Sequence, residues 1–543
     1  MSQGSQPIGH WQADHLDGTD WSVGSVEIVQ ALADWHHHRV LVERDGRAVA
    51  LPAAAWRPGR SIAAGEPAVW AQLSPLPPER LGDAAFRQAY GLRFAVMAGA
   101  MAGGIASAEL VVAMARAGGL GSYGAGGQGL ASIATALDRI QAALGPDEAY
   151  AVNLIHSPGE PGHEMAVAEL LLDRGVAIVE ASAYLQLTPA VVRYRVSGLR
   201  AGPDGAPQAA NRVIAKASRT EVASRWLQPP PAEILERLLA GGQITAAEGR
   251  LAKHLPMADD LTAESDSGGH TDNRPALCML PTFLALRDRL QADLPQRTRI
   301  GLAGGIATPE AVAAAYSLGA AYVVTGSINQ ACVESGSCDR VRQLLAEAEQ
   351  ADVIMAPAAD MFEMGVKLQV LKRGTMFAMR AQKLYELYRN HAAWQEVPAK
   401  EREQVQRQIL RAPFERIWAE CETFWAKREP RQLDRARAEP KHQMALVFRW
   451  YLGMASRWAN TGVDDRSIDY QVWCGPAMGA FNEWTRGSHL ADPATRRVGS
   501  VTRNLLAGAA WHLRQQQLRL QGVLAVGPAY RPLADDALAR LLD

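Results

Sequence analysis

Between residues 90 and 335 the chain repeats one pattern eight times: a short apolar run, then a spacer long enough for a helix. We predict strands at residues 94–98, 120–123, 150–154, 177–180, 213–217, 261–264, 300–303 and 322–325. Eight strand–helix units over about 200 to 250 residues are typical of a closed parallel (β/α)8 barrel. The repeat therefore predicts an α/β protein built around a TIM barrel.

The sequence on either side of this repeat differs in composition. Of the fourteen tryptophans, five precede residue 71 and eight follow residue 390, whereas the middle is rich in Gly and Ala. We predict four regions: a small N-terminal α+β module (1–85), the barrel (86–335), a helical C-terminal region (336–525) and a tail (526–543).

Two local patterns refine this division. In the N-terminal module, apolar runs on either side of Asp45-Gly46 predict a β-hairpin. The spacer between the fifth and sixth predicted strands is the longest, and residues 226–258 contain three consecutive prolines and a helical stretch. We predict that this insertion is either a lid or a small subdomain.

Charge and cysteine content exclude several classes of protein. The chain has 56 basic and 57 acidic residues, which gives no support to nucleic acid or a membrane surface as its main partner. Five cysteines without a CxxC pair argue against a disulfide framework or a metal site, and they fit a cytoplasmic location. Residues 94–115 are apolar, but their Gly and Ala content and Glu109 argue against a membrane span.

Three consecutive predicted strands end in glycine-containing loops. These are Asp266-Ser-Gly-Gly-His270, Gly304-Gly305 and Gly326-Ser327. The last two follow the seventh and eighth strands, where barrels often bind phosphate through backbone N–H groups. The alternative is that the glycines only permit tight turns, but three such loops at one end of a barrel favour phosphate binding.

Polar or small residues stand at three other predicted strand ends. Ala98-Gly99-Ala100 would let a flat ring lie against the backbone, or would pack a helix closely. Asn153 would bind the edge of a ligand or cap a turn. Lys216, inside an apolar strand, would stabilise a negative charge on a ligand, or form an ion pair with Glu180 or Glu264.

His270 is the candidate for proton transfer. It follows Gly-Gly at a strand end, beside the other loops, and imidazole exchanges protons near neutral pH. Asp272 or Asp266 would orient it, although Asp266 could instead cap a turn.

The chain resembles the PfaD family, the trans-acting enoyl reductases of polyunsaturated fatty acid and polyketide synthases, over residues 85–525. Its barrel resembles the wider superfamily of FMN-dependent nitronate monooxygenases. The barrel motifs are Met97-Ala-Gly-Ala-Met-Ala-Gly-Gly, Val152-Asn153-Leu154, Lys216, Asp266-Ser-Gly-Gly-His270, Gly304-Gly305 and Gly326-Ser327. The narrower motifs are His270-Thr-Asp-Asn-Arg-Pro275, Met361-Phe-Glu-Met-Gly-Val-Lys-Leu-Gln-Val-Leu-Lys-Arg373 and Trp473-Cys-Gly-Pro-Ala-Met-Gly-Ala-Phe-Asn482.

The resemblance implies an enzyme that holds FMN, takes hydride from NADPH or NADH, and reduces α,β-unsaturated thioesters on an acyl carrier protein. His270 and Lys216 would be catalytic. The residues implied in cofactor binding are Ala98, Gly99, Ala100, Asn153, Lys216, Asp266, Gly268, Gly269, Gly304, Gly305, Gly326 and Ser327.

Alternatives to this function and to its docking surface stay open. A nitronate monooxygenase-type flavoenzyme and a non-catalytic flavin-binding scaffold protein of a synthase are the rival functions. Lys367, Lys372 and Arg373 would meet the carrier protein or line a solvated face. The aromatic-rich flanks suggest a homodimer.

Overall fold

The computed structural model describes residues 7–11, 26–44, 47–53, 56–59, 67–294, 297–524 and 526–542. The strands, in chain order, are β1 Gly9–Trp11, β2 Arg39–Arg44, β3 Arg47–Pro52, β4 Trp56–Pro58, β5 Ala68–Leu73, β6 Val96–Ala98, β7 Leu120–Tyr123, β8 Tyr150–Ile155, β9 Ile178–Ser182, β10 Arg200–Ala201, β11 Pro207–Gln208, β12 Arg212–Ala217, β13 Asp260–Glu264, β14 Gly269–His270, β15 Arg299–Ala303, β16 Val323–Thr325, β17 Val353–Pro357 and β18 Lys367–Leu371.

The α-helices, in chain order, are α1 Ile28–Ala33, α2 Ala84–Tyr90, α3 Ala108–Arg116, α4 Leu130–Ala143, α5 Pro161–Asp173, α6 Pro189–Val196, α7 Thr220–Trp226, α8 Ala232–Ala240, α9 Ala246–Ala252, α10 Ala276–Leu290, α11 Pro309–Ser317, α12 Ser327–Gln330, α13 Asp339–Ala346, α14 Phe377–Asn390, α15 Ala399–Gln404, α16 Phe414–Arg428, α17 Arg431–Ala438, α18 Pro440–Thr461, α19 Ala477–Thr485, α20 Val498–Leu520 and α21 Asp535–Leu542.

The predicted barrel is present. Eight parallel strands close in the order β12-β13-β15-β16-β6-β7-β8-β9, and each coincides with one of the eight predicted strands to within two residues at either end. A capping threonine and a proline begin α11: Thr308 Oγ1 accepts from the backbone N–H of Ala311, and Pro309 occupies the first helical position. The TIM-barrel fold class is therefore confirmed.

Helix α2 closes the amino-terminal end of the barrel. Phe86 and Tyr90 are buried inside it, and Phe86 stacks on Tyr322 with ring centroids 4.2 Å apart. Below them Arg299 binds both oxygens of the buried Asp260 at 2.6 and 2.7 Å. Tyr90 donates its hydroxyl to the same carboxylate at 2.5 Å. This end is therefore filled by side chains and offers no entrance to the barrel.

The insertion at residues 226–258 lies at this same end. The backbone N–H groups of Met257 and Ala258 donate to Gln228 and Trp226, immediately before β13 begins. Helix α8 packs against α6, and α9 packs against the β10–β11 hairpin. Of the two predictions, the arrangement fits a small subdomain; the segment does not cover the carboxyl ends of the strands.

The N-terminal sheet is antiparallel, in the order β3-β2-β5-β1-β4. The predicted hairpin pairs β2 with β3, and its turn, Asp45-Gly46, lies outside the described residues. The buried Arg514 on α20 donates to the backbone oxygens of Ala31 and Ser74 at 2.7 and 2.8 Å. The N-terminal and C-terminal segments thus pack against each other, and the region boundaries near 85, 335 and 525 stay predictions.

The C-terminal region is mostly helical, as predicted, but it also contains a β-hairpin. Strands β17 and β18 pair antiparallel, and β14 from the barrel loop pairs with β18. Among the described residues, none of the helices is both long and apolar enough to cross a bilayer.

Candidate active site at the carboxyl-terminal rim

Polar side chains line the inside of the barrel just below its carboxyl-terminal rim. Lys216 on β12 lies between two acids: its Nζ is 2.9 Å from Glu264 Oε1 and 3.6 Å from Glu180 Oε1. Burial alone would lower the pKa of Lys216, but the charges of Glu264 and Glu180 outweigh it and raise that pKa. The ion pair that was one of the two predictions for Lys216 is therefore present, and it fixes the position of the ammonium at the mouth of the barrel.

Asn153 and the end of β6 are tied to the same acid. The backbone N–H of Ala100 donates to Glu180 Oε2 at 2.7 Å. The Asn153 amide donates to the Glu180 carbonyl at 3.0 Å and to Ser182 Oγ at 3.1 Å. Because both N–H bonds of Asn153 are used within the protein, its Oδ1 is the atom left to accept a hydrogen bond from a ligand.

Two glycines in the rim loops leave open space. A Cβ added to Gly305 or Gly326 would meet nothing within 4 Å. Within the described chain, the backbone N–H groups of Gly305, Gly326 and Ser327 donate to no protein acceptor. Unsatisfied N–H groups beside open space suit an anionic group such as phosphate.

The other glycines of these loops pack against protein. A Cβ on Gly304, which has φ +86°, would lie 2.5 Å from Ser265 Oγ. A Cβ on Gly268 would lie 2.9 Å from the backbone nitrogen of Cys474. Gly269, with φ +80°, pairs with Gln369 in the β14–β18 ladder. At these three positions the tight-turn or packing alternative accounts for the glycine.

His270 points towards a carboxylate that sequence reasoning did not identify. Its Nε2 lies 3.2 Å from Oδ1 of Asp360, in the loop after β17. Burial alone would lower the pKa of His270, but the Asp360 charge overcomes this and raises it. Asp360 in turn has a lowered pKa: burial would raise it, and His270 outweighs that effect. The pair therefore favours the protonated imidazole.

Neither predicted partner of His270 contacts it. Both oxygens of Asp272 bind Arg219 at 2.8 Å, which lowers the pKa of Asp272 to about 2. Asp266 accepts hydrogen bonds from Asn273 and Gln369 at 2.8 and 2.9 Å. These carboxylates shape the loop that carries His270. The sequence signal that could have identified Asp360 is its position directly before the motif that begins at Met361.

The C-terminal region builds one side of this site. Gln369 on β18 also donates to the Ser267 carbonyl at 2.8 Å, next to the β14–β18 pairing. The backbone N–H of Gly475 donates to Ser327 Oγ at 3.2 Å, so that hydroxyl already has a protein partner. The barrel loops are thus held in place by residues more than 90 positions away.

Helices α16 to α18 cover the opposite side of the rim. Arg428 forms an ion pair with Glu160, in the loop after β8, and donates to the Gln128 carbonyl, after β7, at 3.3 Å. Asn460 Nδ2 donates to the Gly103 carbonyl, after β6, at 3.4 Å. The segment that lies over the mouth is therefore C-terminal.

The three basic residues expected either to meet the carrier protein or to line a solvated face, Lys367, Lys372 and Arg373, are all exposed. Arg373 forms an ion pair with Asp352 at 2.5 Å and lies 3.5 Å from Glu349. The positive charge of Arg373 is therefore balanced by acidic residues beside it.

Two family models match the chain. The model described as nitronate monooxygenase matches residues 85–386. The model described as the inserted helical domain of [acyl-carrier-protein] S-malonyltransferase matches residues 391–470.

Curated relatives are proteins of polyunsaturated fatty acid and polyketide biosynthesis. One component of the polyunsaturated fatty acid synthase of Thraustochytrium sp. is 48% identical over 449 residues, which are 81% of this chain and 30% of that protein. Polyketide biosynthesis protein PksE of Bacillus subtilis is 43% identical over 444 residues, which are 81% of this chain and 58% of that protein. The chain thus spans less than two thirds of the length of these relatives.

One solved structure is similar over nearly its whole length. The enoyl reductase domain of MlnA, from the macrolactin biosynthesis cluster of Bacillus amyloliquefaciens, aligns with a TM-score of 0.77 and 34% identity. The alignment covers 81% of this chain and 99% of that domain.

Proposed function

This chain belongs to the nitronate monooxygenase family and, within it, to the PfaD-like enoyl reductases, and from that premise we propose its reaction. We propose an FMN-dependent reductase that uses NADPH or NADH to reduce α,β-unsaturated acyl thioesters carried on an acyl carrier protein. The observation that carries the proposal is the His270–Asp360 pair at the mouth of a barrel whose rim also holds unsatisfied N–H groups.

The residues at the rim fit a flavin mononucleotide. The N–H groups of Gly305, Gly326 and Ser327, and the open space beside the two glycines, suit its phosphate. Asn153 Oδ1 and the backbone from Ala98 to Ala100 would hold the ring. Buried polar atoms without a hydrogen-bond partner, among them Ser122 Oγ, also lie on the barrel strands. When bound, the flavin would supply hydride transfer.

His270 would supply the proton. Since Nε2 faces Asp360, Nδ1 is the atom available to donate to the α-carbon of the substrate. Asp360 would act as a positioning residue: it holds the ring in one orientation and stabilises the imidazolium. The Lys216 ammonium, fixed by Glu264 and Glu180, would stabilise negative charge at the ring edge of the cofactor.

The partner assignment rests on the relatives. One is a component of a polyunsaturated fatty acid synthase and another is a polyketide biosynthesis protein, and the match over residues 391–470 is to a domain of an enzyme that acts on acyl carrier protein. We therefore assign the covering helices α16 to α18 to the side from which a carrier-bound thioester would enter.

The test begins with the purified protein. We expect a flavin absorbance spectrum, oxidation of NADPH that depends on a crotonyl thioester, and loss of that turnover in His270→Ala with the flavin retained. A colourless protein that cannot be loaded with FMN would overturn the cofactor assignment.

The family model itself favours one alternative, oxidation of nitronates. Oxygen uptake with an alkyl nitronate, and no turnover with any enoyl thioester, would select this alternative. A scaffold protein without turnover would give the same pathway product in a cell carrying His270→Ala, whereas a reductase would leave the product unsaturated.

A further inference from the structure

Arg449 is a half-buried cation that has neither an ion pair nor a hydrogen-bond acceptor among the described residues. It lies on α18, and its guanidinium carbon is 5.3 Å from the centre of the Trp425 ring. Within the described part of the chain, its guanidinium donates to no acceptor and forms no ion pair. Burial lowers the pKa of Arg449, yet an arginine stays charged at neutral pH.

The carboxylates around Arg449 already have other partners. Glu160 pairs with Arg428, and Asp360 pairs with His270. Glu363 binds His442 at 3.1 Å and Arg435 at 3.2 Å. All three carboxylates act on the charge of Arg449 from a distance. Since these carboxylates are paired elsewhere, none of them binds the N–H groups of Arg449 directly.

The packing of α18 places Arg449 near the mouth of the site. Arg449 contacts Trp425, one helical turn before Arg428, which pairs with Glu160, and it follows His442, which pairs with Glu363, by about two turns of the helix. Glu160 belongs to the barrel loop after β8, whereas Asp360 belongs to the hairpin loop that meets His270. Arg449 thus lies on a covering helix, near the loops that form two walls of the entrance. A ligand that reaches His270 from this side passes its guanidinium.

We propose that Arg449 binds a phosphate group of the ligand that enters the mouth. A guanidinium matches phosphate with two parallel N–H···O bonds. The inference rests on the proposed function, in which both mobile ligands carry phosphate: the nicotinamide dinucleotide and the phosphopantetheine arm of the carrier protein.

Equilibrium binding separates this proposal from the reductase assignment. Calorimetry would measure binding of NADPH and of 4′-phosphopantetheine to the full-length FMN-loaded protein and to Arg449→Met, which keeps an apolar stem against Trp425. We expect about a tenfold loss of affinity for one of the two ligands, as for a lost hydrogen bond to a charged group. Which ligand is affected identifies the source of the phosphate.

Arg457→Met is the matched control, since Arg457 is exposed on the same helix. It should bind both ligands as the unmodified protein does. Retention of the flavin absorbance spectrum checks that Arg449→Met folds, and turnover of the crotonyl thioester of N-acetylcysteamine by the unmodified protein checks the reductase assignment. If Arg449→Met binds both phosphate ligands as tightly as the unmodified protein, the proposal is wrong, whatever the turnover.

Discussion

Gly268→Ala tests what the glycine in the His270 loop is for. The φ of Gly268 lies outside the left-handed region, so alanine is conformationally allowed and the cost is steric. The new Cβ would lie 2.9 Å from the backbone nitrogen of Cys474 and 3.0 Å from its Cα and carbonyl carbon. Ordinary contacts begin near 3.4 Å. Since backbone on both sides must shift by several tenths of an ångström, we expect a loss of about 1–3 kcal/mol in the free energy of unfolding.

Gly326→Ala is the matched comparison, because Gly326 also follows a barrel strand, has φ −134°, and leaves open space for a Cβ. We expect its stability to change by less than about 0.5 kcal/mol, while its affinity for FMN falls as the methyl group enters the phosphate space. Urea denaturation measures the stability of both variants, and titration with FMN measures their affinity for the cofactor. If Gly268→Ala leaves stability unchanged and weakens FMN binding as Gly326→Ala does, then Gly268 serves the ligand and the packing explanation fails.

Three further predictions concern the charged groups. Asp360→Asn removes the charge that raises the pKa of His270. Activity that requires the imidazolium falls as pH rises through that pKa, so we expect the falling limb of the pH profile of kcat/KM to move to lower pH. If that limb does not move, Asp360 does not act as a positioning residue. Asp260→Asn leaves Arg299 inside the barrel without its charged partner, so the urea midpoint should drop by the equivalent of about 3–5 kcal/mol; a change below about 1 kcal/mol would contradict this. Lys216→Met should lower kcat/KM with a crotonyl thioester about 100-fold. Unchanged turnover would show that Lys216 does not stabilise charge on the cofactor.

Local patterns in the sequence were sufficient to predict the barrel. The eight strands could be read because each is a short apolar run bounded by turn residues, and because parallel strands place their carboxyl ends at one rim. The same reasoning named both acids that meet Lys216, since side chains alternate along a strand and inward positions on neighbouring strands face one another.

Contacts between distant segments could not be predicted in this way. Asp360 meets His270 only because β18 pairs with β14, and nothing near His270 in the chain encodes that pairing. Likewise, Gly268 resembled a ligand-binding glycine because the backbone it packs against, at Cys474, lies about 200 residues further on. The length of the insertion at 226–258 allowed either a lid or a small subdomain, because the end of the barrel on which it lies is set by where β13 must begin.

The pairing of β14 with β18 has a consequence for anyone who would shorten or recombine this protein. The catalytic histidine candidate belongs to the barrel by sequence but to the hairpin sheet by its backbone hydrogen bonds. A graft that ends at the last barrel strand would carry the imidazole without the strand that aims it. Recombining this chain with another protein would therefore call for a cut beyond Gly475, so that the loop and its support are transferred together.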